Sequence, residues 1–398
     1  MVRFYLDSYR GLSTPVWMLA MVILINRTGA MVLPFLGIYM TTSLGFSLKE
    51  AGYVLGCFGI GAVLGSVGGG WLTDKFGSFK VQTSSLFLSV PVFILLPFLK
   101  SFETLAAGIF ILSFITETFR PANSVSISHY AHPKNITRAF SLNRMALNLG
   151  FSIGPALGGF LAAISYHLLF YGNAFSTTVA GIVFYFYFHQ KEKQLSSKRK
   201  LKERKGNEKL GVSPWKDTPF LLFSILCCLF SLCFFQFLST LPLYYKEVYL
   251  LDNFHIGLLL GFNGLVVFSL EMILVSTSEK ILSPMQLVIL GVLLCGFSFL
   301  ILIAYQSISI IYLSMFLLSV SEILVMPFMS TIAINRAAKG REGTYMGLNS
   351  LSFSAAHIFS PVIGTAIAAH YDFNTLWVCT AALAAFASLG LWYIKKRF

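Results

Sequence analysis

The stretch LNRMALNLGFSIGPALGG, residues 142–159, has a second copy, LNSLSFSAAHIFSPVIGT, at residues 348–365. The copies are offset by 206 positions, and the same offset relates Pro121 to Pro327 in the segments before them. Agreement at this many positions indicates a duplicated unit rather than chance. Since both copies lie in long apolar segments, the repeat predicts two related bundles of helices.

The rest of the chain is also apolar. Of its 398 residues, 56% are hydrophobic and 11% are charged, and the mean hydropathy is +0.75. A bilayer core needs roughly 20 apolar residues per helix, and long runs without polar alternation favour helices over a β-barrel. We therefore predict an all-α integral membrane protein with twelve spans, at residues 16–40, 50–73, 80–99, 103–127, 140–163, 168–188, 218–245, 255–278, 285–304, 307–333, 344–369 and 374–394.

The longest polar break divides these spans six and six. Residues 189–217 carry ten Lys or Arg residues against four acids, as expected of a solvated linker. We predict an N-terminal six-helix bundle over residues 1–188, a basic cytoplasmic linker over 189–217 and a C-terminal six-helix bundle over 218–398. Membrane proteins built from two such halves are commonly transporters. The two halves would then already form the transport unit, so we expect a monomer.

The net charge of +13 is distributed unevenly. With twelve spans both termini share one side, and that side holds 23 of the 29 Lys and Arg residues, against only Lys49, Lys100 and Lys246 opposite. This asymmetry predicts cytoplasmic termini, and the short loops suggest a bacterial inner (plasma) membrane. The basic residues are explained by topology and contact with anionic lipids, so we expect no nucleic-acid partner.

The sequence offers no catalytic constellation. All six cysteines fall in apolar spans without metal-ligand spacing. No Walker, G-x-G-x-x-G, H-E-x-x-H or G-x-S-x-G motif supports ATP-driven transport or a common membrane enzyme. We therefore expect a protein that is not an enzyme and that needs no metal or cofactor.

Two glycine-rich segments suggest close helix packing. In GGGWLTDKFGSFK, residues 68–80, the glycines let helices approach, and an acid can cap a neighbouring helix or pair with a base. In span 5, small residues recur every four positions beside a proline that bends the helix. We expect this stripe to pack against the corresponding helix of the second half and to seal the cavity. The residues concerned are Gly70, Asp74, Lys75, Gly77 and Lys80 in the loop, and Gly150, Gly154, Pro155, Gly158 and Gly159 in span 5.

These two segments resemble signatures of the major facilitator superfamily, specifically its twelve-helix drug:H⁺ antiporter branch. The resemblance implies two pseudo-symmetric bundles that rock about a central cavity lined by spans 1, 4, 7 and 10. It also implies that the segment around Asp74, Lys75 and Gly77 stabilises the outward-facing state. A third signature of that branch, an arginine early in span 4, has no match, since Phe110 stands near its place.

Polar residues recur in the spans assigned to the cavity. A charge at mid-membrane costs at least about 2.5 kcal/mol on insertion scales, so each needs a partner or water. Our prediction for the cavity comprises Asn26, Arg27, Ser113, Glu117, Arg120, Ser124, Gln236, Glu322 and Met326. We expect Glu117 to carry the proton near Arg27 and Arg120, with a static ion pair as the alternative and Glu322 as the second candidate.

Two further charges receive structural interpretations. Glu271 lies towards the cytoplasmic end of span 8, away from the cavity spans, and Arg144 lies where span 5 begins on the cytoplasmic side. We expect a structural role for Glu271 and an interfacial or latch role for Arg144.

The function that combines these features is secondary transport of a small-molecule substrate coupled to protons. We expect efflux of an amphipathic or hydrophobic molecule by alternating access. The alternative is proton-coupled uptake of a nutrient, or export of a metabolite such as a siderophore, by the same fold. A receptor or membrane enzyme would need a soluble domain or a chemical constellation that the sequence does not offer.

Overall fold

The computed structural model describes residues 7–203, 211–304 and 306–398, and within these residues it contains helices and no strand. In the described part of the chain, twelve helices are long and apolar enough to cross a membrane, which confirms the predicted all-α fold. Residues 204–210 of the predicted linker lie outside the described residues. Spans 1 to 12 are Thr14–Ser43, Lys49–Phe76, Ser78–Phe98, Phe102–Tyr130, Pro133–Ile164, His167–Lys193, Thr218–Glu247, Phe254–Ser278, Pro284–Ala304, Ile308–Arg336, Glu342–His370 and Phe373–Arg397.

Spans 2 and 4 pack at backbone distance. A Cβ atom at Gly61 would lie 2.6 Å from the Phe110 carbonyl oxygen, and one at Gly65 would lie 2.5 Å from that of Phe114. These glycines are four residues apart, so they face span 4 as one smooth stripe. The stripe fixes the position of span 4, which carries Glu117 and Arg120.

Spans 1 and 7 are interrupted at equivalent positions. The first helix of span 1 ends at Thr28 and the next begins at Val32. In span 7, one helix ends at Phe234 and the next begins at Gln236, with Phe235 between them. Since Gly29 and Phe235 are 206 positions apart, the interruption belongs to the duplicated unit. Interrupted spans commonly form binding sites in transporters, and Arg27 is the second-last residue of the helix before the interruption of span 1.

The first six and the last six spans touch on the side that holds both ends of the described chain, here called the termini side. The hydroxyl oxygens of Ser66 and Ser354 are 3.0 Å apart, as are those of Thr137 and Thr331. Near the end of span 8, Glu279 forms a 3.2 Å ion pair with Arg138. Burial raises the pKa of Glu279, against the opposing effect of the Arg138 charge.

Towards the opposite side, here called the far side, the two sets of spans separate. A Cβ atom added at Gly59 of span 2 would lie 2.7 Å from Ile358 of span 11. Gly56 lies about one turn closer to the far side, and a Cβ atom added there would have no described neighbour within 4 Å. Span 8 shows the same pattern. A Cβ atom added at Gly264 would lie 3.8 Å from Ser152 Oγ, whereas one added at Gly261 would have no described neighbour within 4 Å. The molecule is therefore closed on the termini side and open on the far side.

Candidate functional site

Arg27, Glu117 and Arg120, here called the span 4 cluster, meet near the middle of spans 1 and 4. Arg120 Nε lies 3.0 Å from Glu117 Oε2, with 29% and 9% of the side chains exposed. Arg27 interacts electrostatically with both residues, and its guanidinium lies 5.3 Å from the Phe151 ring centroid. The structure thus brings together three residues that the sequence singled out, and they carry two positive charges and one negative charge.

A second cluster, Arg144 with Glu271 and Glu322, joins the first six spans to the last six. Arg144 of span 5 binds Glu271 of span 8 through two contacts, Nε to Oε1 at 2.8 Å and Nη2 to Oε2 at 3.1 Å. Its Nη1 also donates to Oε1 of Glu322 on span 10, at 2.8 Å. The exposed fractions of the three side chains are 11% for Arg144, 0% for Glu271 and 8% for Glu322.

The hydrogen bonds in this Arg144 cluster fit two ionised carboxylates. Both Glu271 oxygens accept from Arg144, and the second Glu322 oxygen accepts from Asn263 Nδ2 at 3.1 Å. All four carboxylate oxygens therefore face N–H donors, and a proton on either carboxylate would remove a negative charge that these donors stabilise. Two carboxylates also exceed the single guanidinium by one negative charge. The cluster can thus take up one proton, but only by weakening the contact between the halves.

This geometry corrects our placement of Glu271. It does not lie apart from the predicted cavity spans, because its fully buried carboxylate shares Arg144 with Glu322 of span 10. Arg144 joins the two halves, which fits the latch alternative of our prediction, and its side chain is 11% exposed. The sequence signal was present: an arginine and a glutamate inside apolar spans each require a partner. The periodicity of one helix does not show which helix of the other half supplies that partner.

Glu117 and Glu322 occupy similar but not identical places in the duplicated unit. They are 205 positions apart, one fewer than the offset of 206 that relates Pro121 to Pro327 on the same two spans. In span 4 the carboxylate pairs with Arg120 of its own helix, whereas Met326 stands in span 10 at the position equivalent to that arginine. Arg144 Nη1 lies 3.1 Å from Met326 Sδ and supplies the missing cation from the other half.

Three of the predicted cavity residues form hydrogen bonds to neighbouring helices. Asn26 donates to Thr177 of span 6 at 3.4 Å, and Ser113 donates to the Phe58 carbonyl of span 2 at 2.6 Å. Gln236 donates to the Ser360 carbonyl of span 11 at 3.3 Å. Ser124 is partly buried on span 4. Within the described part of the chain, no group of three or more His, Cys, Asp or Glu side chains could hold a metal ion.

The span 5 glycines pack against span 1, not against the corresponding helix of the second half, so that expectation was wrong. A Cβ at Gly150 would lie 2.6 Å from Arg27 Cβ, and one at Gly154 would lie 2.9 Å from the Arg27 carbonyl oxygen. Gly158 continues the stripe against Met31, and Gly159 lies beside Phe35. The interruption of span 1 brings its backbone close to this smooth face. The glycines consequently hold Arg27 in position.

We expect Gly150→Ala to displace Arg27. The added methyl group would overlap the Arg27 Cβ, and overpacking of this kind costs about 1–3 kcal/mol. Transport should fall while the protein remains folded. Substrate flux measures the first effect, and thermal unfolding of the same preparation checks the second. Gly56→Ala is the matched control, since its methyl group would enter open space. Equal flux in both variants would contradict this role for Gly150.

Asp74 caps span 11 from the opposite half of the molecule. Its Oδ1 accepts from the Gly343 amide at 2.6 Å and its Oδ2 accepts from the Thr344 amide at 2.8 Å, with a further bond from the Thr344 hydroxyl. These amides belong to the first turn of the helix, where unpaired N–H groups and the helix dipole favour an anion. Asp74 thus links span 2 to span 11 on the termini side.

The other predicted residues of the segment 68–80 either permit this contact between spans 2 and 11 or lie beside it. A Cβ at Gly70 would lie 2.5 Å from the Gly343 carbonyl oxygen, so only glycine permits this approach. Gly77 forms the turn to span 3 with φ +87°, a conformation that favours glycine. Lys75 Nζ lies 4.8 Å from the Trp71 ring centroid, and Lys80 is exposed.

Comparison with known proteins gives consistent results. The family model of the Major Facilitator Superfamily matches residues 16–361. The chain is 26% identical over 354 residues to the uncharacterized MFS-type transporter YttB of Bacillus subtilis (strain 168), and the match covers 88% of each protein. It is 25% identical over 315 residues to Multidrug resistance protein 1 of the same strain, and that match covers 79% of each protein. A bacterial homologue of the iron transporter ferroportin, solved in an outward-facing state, superposes with a TM-score of 0.76 at 17% identity, covering 96% of this chain and 100% of that one.

Proposed function

This chain belongs to the major facilitator superfamily of membrane transporters, and on that premise we propose that it exports a small amphipathic molecule in exchange for protons. Members of the family bind small-molecule substrates and are transporters, not enzymes. We place the protein in a bacterial plasma membrane with both termini in the cytoplasm, because the basic residues are concentrated on the termini side. The far side then faces outward, and the structure represents an outward-facing state.

The observation that carries the proposal is the Arg144 cluster. An arginine from the first six spans is held by two buried carboxylates of the last six, so the contact between the halves depends on the ionisation of those carboxylates. A buried ion pair that loses one partner is destabilised by about 3–5 kcal/mol. Protonation of Glu322 or Glu271 would weaken the hold on Arg144 and favour opening of the termini side.

This arrangement gives an exchange cycle. In the outward-facing state, protons reach Glu322 from the open far side, since that side chain is slightly exposed whereas Glu271 is fully buried. Protonation releases Arg144, the termini side opens to the cytoplasm, and the proton leaves into water. Substrate then enters the cavity from the cytoplasm, and the ionised carboxylates capture Arg144 again as the molecule returns.

Glu117 is a second candidate for the proton carrier. It is buried and paired with Arg120, as a carrier would be. Both residues lie on one helix, however, so protonation of Glu117 need not change any contact between the halves. We therefore assign the coupling step to Glu322 and Glu271, with Glu117 as the residue to examine if they prove dispensable.

Efflux is supported by the span 5 glycine segment, which resembles that of the drug:H⁺ antiporter branch, and by the similarity to Multidrug resistance protein 1. The test uses purified protein in liposomes that contain a pH-sensitive dye. Lipophilic cations, aromatic carboxylates, amino acids, peptides and siderophores are added in turn.

We expect compounds of one of these classes to cross the membrane in one direction and to drive protons across it in the opposite direction. The matched control is Glu50→Gln, which removes an exposed carboxylate of a helix cap on the far side and should change nothing. Substrate and protons that move in the same direction would indicate uptake instead. Transport of a substrate without any proton movement would contradict coupling to protons.

A further inference from the structure

The span 4 cluster has an excess of positive charge. Two guanidinium groups, Arg27 and Arg120, face one carboxylate, and that carboxylate already pairs with Arg120. Among the described residues, none forms an ion pair or a hydrogen bond with the Arg27 guanidinium, and its Nε atom is fully buried. An arginine inside a membrane span requires a counterion or water. The structure therefore leaves one positive charge to be matched by something other than a described side chain.

Aromatic rings adjoin this charge from both halves of the molecule. Phe151 of span 5 lies beneath the Arg27 guanidinium. Across the cavity, the rings of Phe235 and His357 are in contact, with centroids 3.8 Å apart. His357 is exposed and interacts electrostatically with Arg120 and Glu117, so it faces the span 4 cluster from the other half. The Phe235 ring packed against it is 9% exposed. Phe235 is the residue at which span 7 is interrupted.

We propose that Arg27 and Arg120 bind the anionic group of the transported molecule, and that its apolar part lies between Phe151 and Phe235. The inference rests on the proposed transport function and specifies its substrate class: an aromatic or otherwise apolar anion, such as a carboxylate. One bound anion brings the two guanidinium groups and Glu117 to zero net charge. Planar guanidinium groups match a carboxylate through paired hydrogen bonds. A lipophilic cation would instead add to the positive charge.

The position of Arg27 supports a binding role. It is the second-last residue of the helix before the interruption of span 1, and the span 5 glycines pack against its backbone and Cβ. A guanidinium held in this way loses little freedom when it binds, which favours affinity. Since Arg27 lies in the first half and Phe235 in the second, one ligand could contact both halves and sense their relative movement.

The test measures binding by purified protein in detergent, where no proton gradient exists. The probes are 2-naphthoate, 2-naphthylmethylamine and 2-naphthylmethanol, which share one ring system and differ in charge. We expect 2-naphthoate to bind at least tenfold more tightly than either of the others in isothermal titration calorimetry. Arg27→Gln should remove most of that difference, whereas Arg27→Lys, which keeps the charge, should retain part of it and shows that the fold tolerates a change at this position.

The proposal is overturned if 2-naphthoate fails to bind, if the amine or the alcohol binds equally well, or if Arg27→Gln keeps the full preference. The same probes separate this proposal from the transport function. Selective binding of 2-naphthoate by a protein that moves no protons would leave the anion site standing and contradict the antiport.

Discussion

The double variant Glu271→Gln/Glu322→Gln should lose substrate-dependent proton movement by more than tenfold in liposomes. Glutamine keeps the size of each side chain and can still accept hydrogen bonds, but it removes both negative charges around Arg144. No carboxylate then remains in the cluster to take up a proton. Arg144 would also be buried without a counterion, which costs about 3–5 kcal/mol and opposes the closed arrangement. A dye-based measurement of proton flux, with substrate flux measured in parallel, checks this result.

A third substitution provides the control. Adding Arg144→Met to the double variant removes the unpaired cation, and replacement of a complete buried ionic cluster by apolar or neutral groups is often close to neutral for stability. The triple variant should therefore regain thermal stability while proton coupling stays absent. Coupling at the original level in either variant would show that the proton is carried elsewhere, with Glu117 as the residue to test next.

The second large effect is expected from Asp74→Asn. The Asp74 carboxylate accepts hydrogen bonds from the Gly343 and Thr344 amides and from the Thr344 hydroxyl, all across the contact between the halves. Hydrogen bonds to a charged group contribute about 1.5–3 kcal/mol each, and asparagine retains one acceptor oxygen without the charge. We expect the closed termini side to lose about 2 kcal/mol, which corresponds to roughly a 30-fold shift towards the open form.

A cysteine introduced at Ser66 reports this shift. Ser66 is buried against Ser354 in the closed arrangement, so in a cysteine-free background a thiol there should react with a soluble maleimide much faster in the Asp74→Asn variant. The control is Asp372→Asn, because Asp372 caps span 12 through the Thr375 amide at 2.6 Å within one half. If both variants label at the same rate, Asp74 does not hold the halves together.

The fold could be predicted from the sequence because its determinants are local. Each span is a continuous apolar run, and a membrane allows such a run little alternative to a helix. The role of Asp74 as a cap could also be anticipated, since an acid at the end of a glycine-rich span has few partners other than a base or a helix N-terminus.

The site was only partly predictable because it depends on which helices face each other. Glu117 and Arg120 are three residues apart on one helix, so their pairing follows from helical geometry. Arg144, Glu271 and Glu322 come from three spans in two halves, and nothing in the periodicity of any one span shows that they converge. The same limit explains the error about the span 5 glycines, which were correctly recognised as a packing face but assigned to the wrong partner.

The central claim is that ionised Glu271 and Glu322 hold Arg144 and keep the termini side closed. The most direct test is the distance between spin labels at Lys134→Cys, at the start of span 5, and Lys280→Cys, after span 8, measured by pulsed electron paramagnetic resonance at pH 8 and pH 5. Both positions are exposed on the termini side. Glu279→Gln is included as a control, because the Arg138–Glu279 pair also links these spans.

Protonation weakens the Arg144 cluster, so a short distance should dominate at pH 8 and a longer one should gain population at pH 5. This response should persist in Glu279→Gln. In Glu271→Gln/Glu322→Gln, the longer distance should be populated at both pH values. A distribution that is the same at pH 8 and pH 5 in the unmodified protein, or a double variant that still responds to pH, would contradict the account.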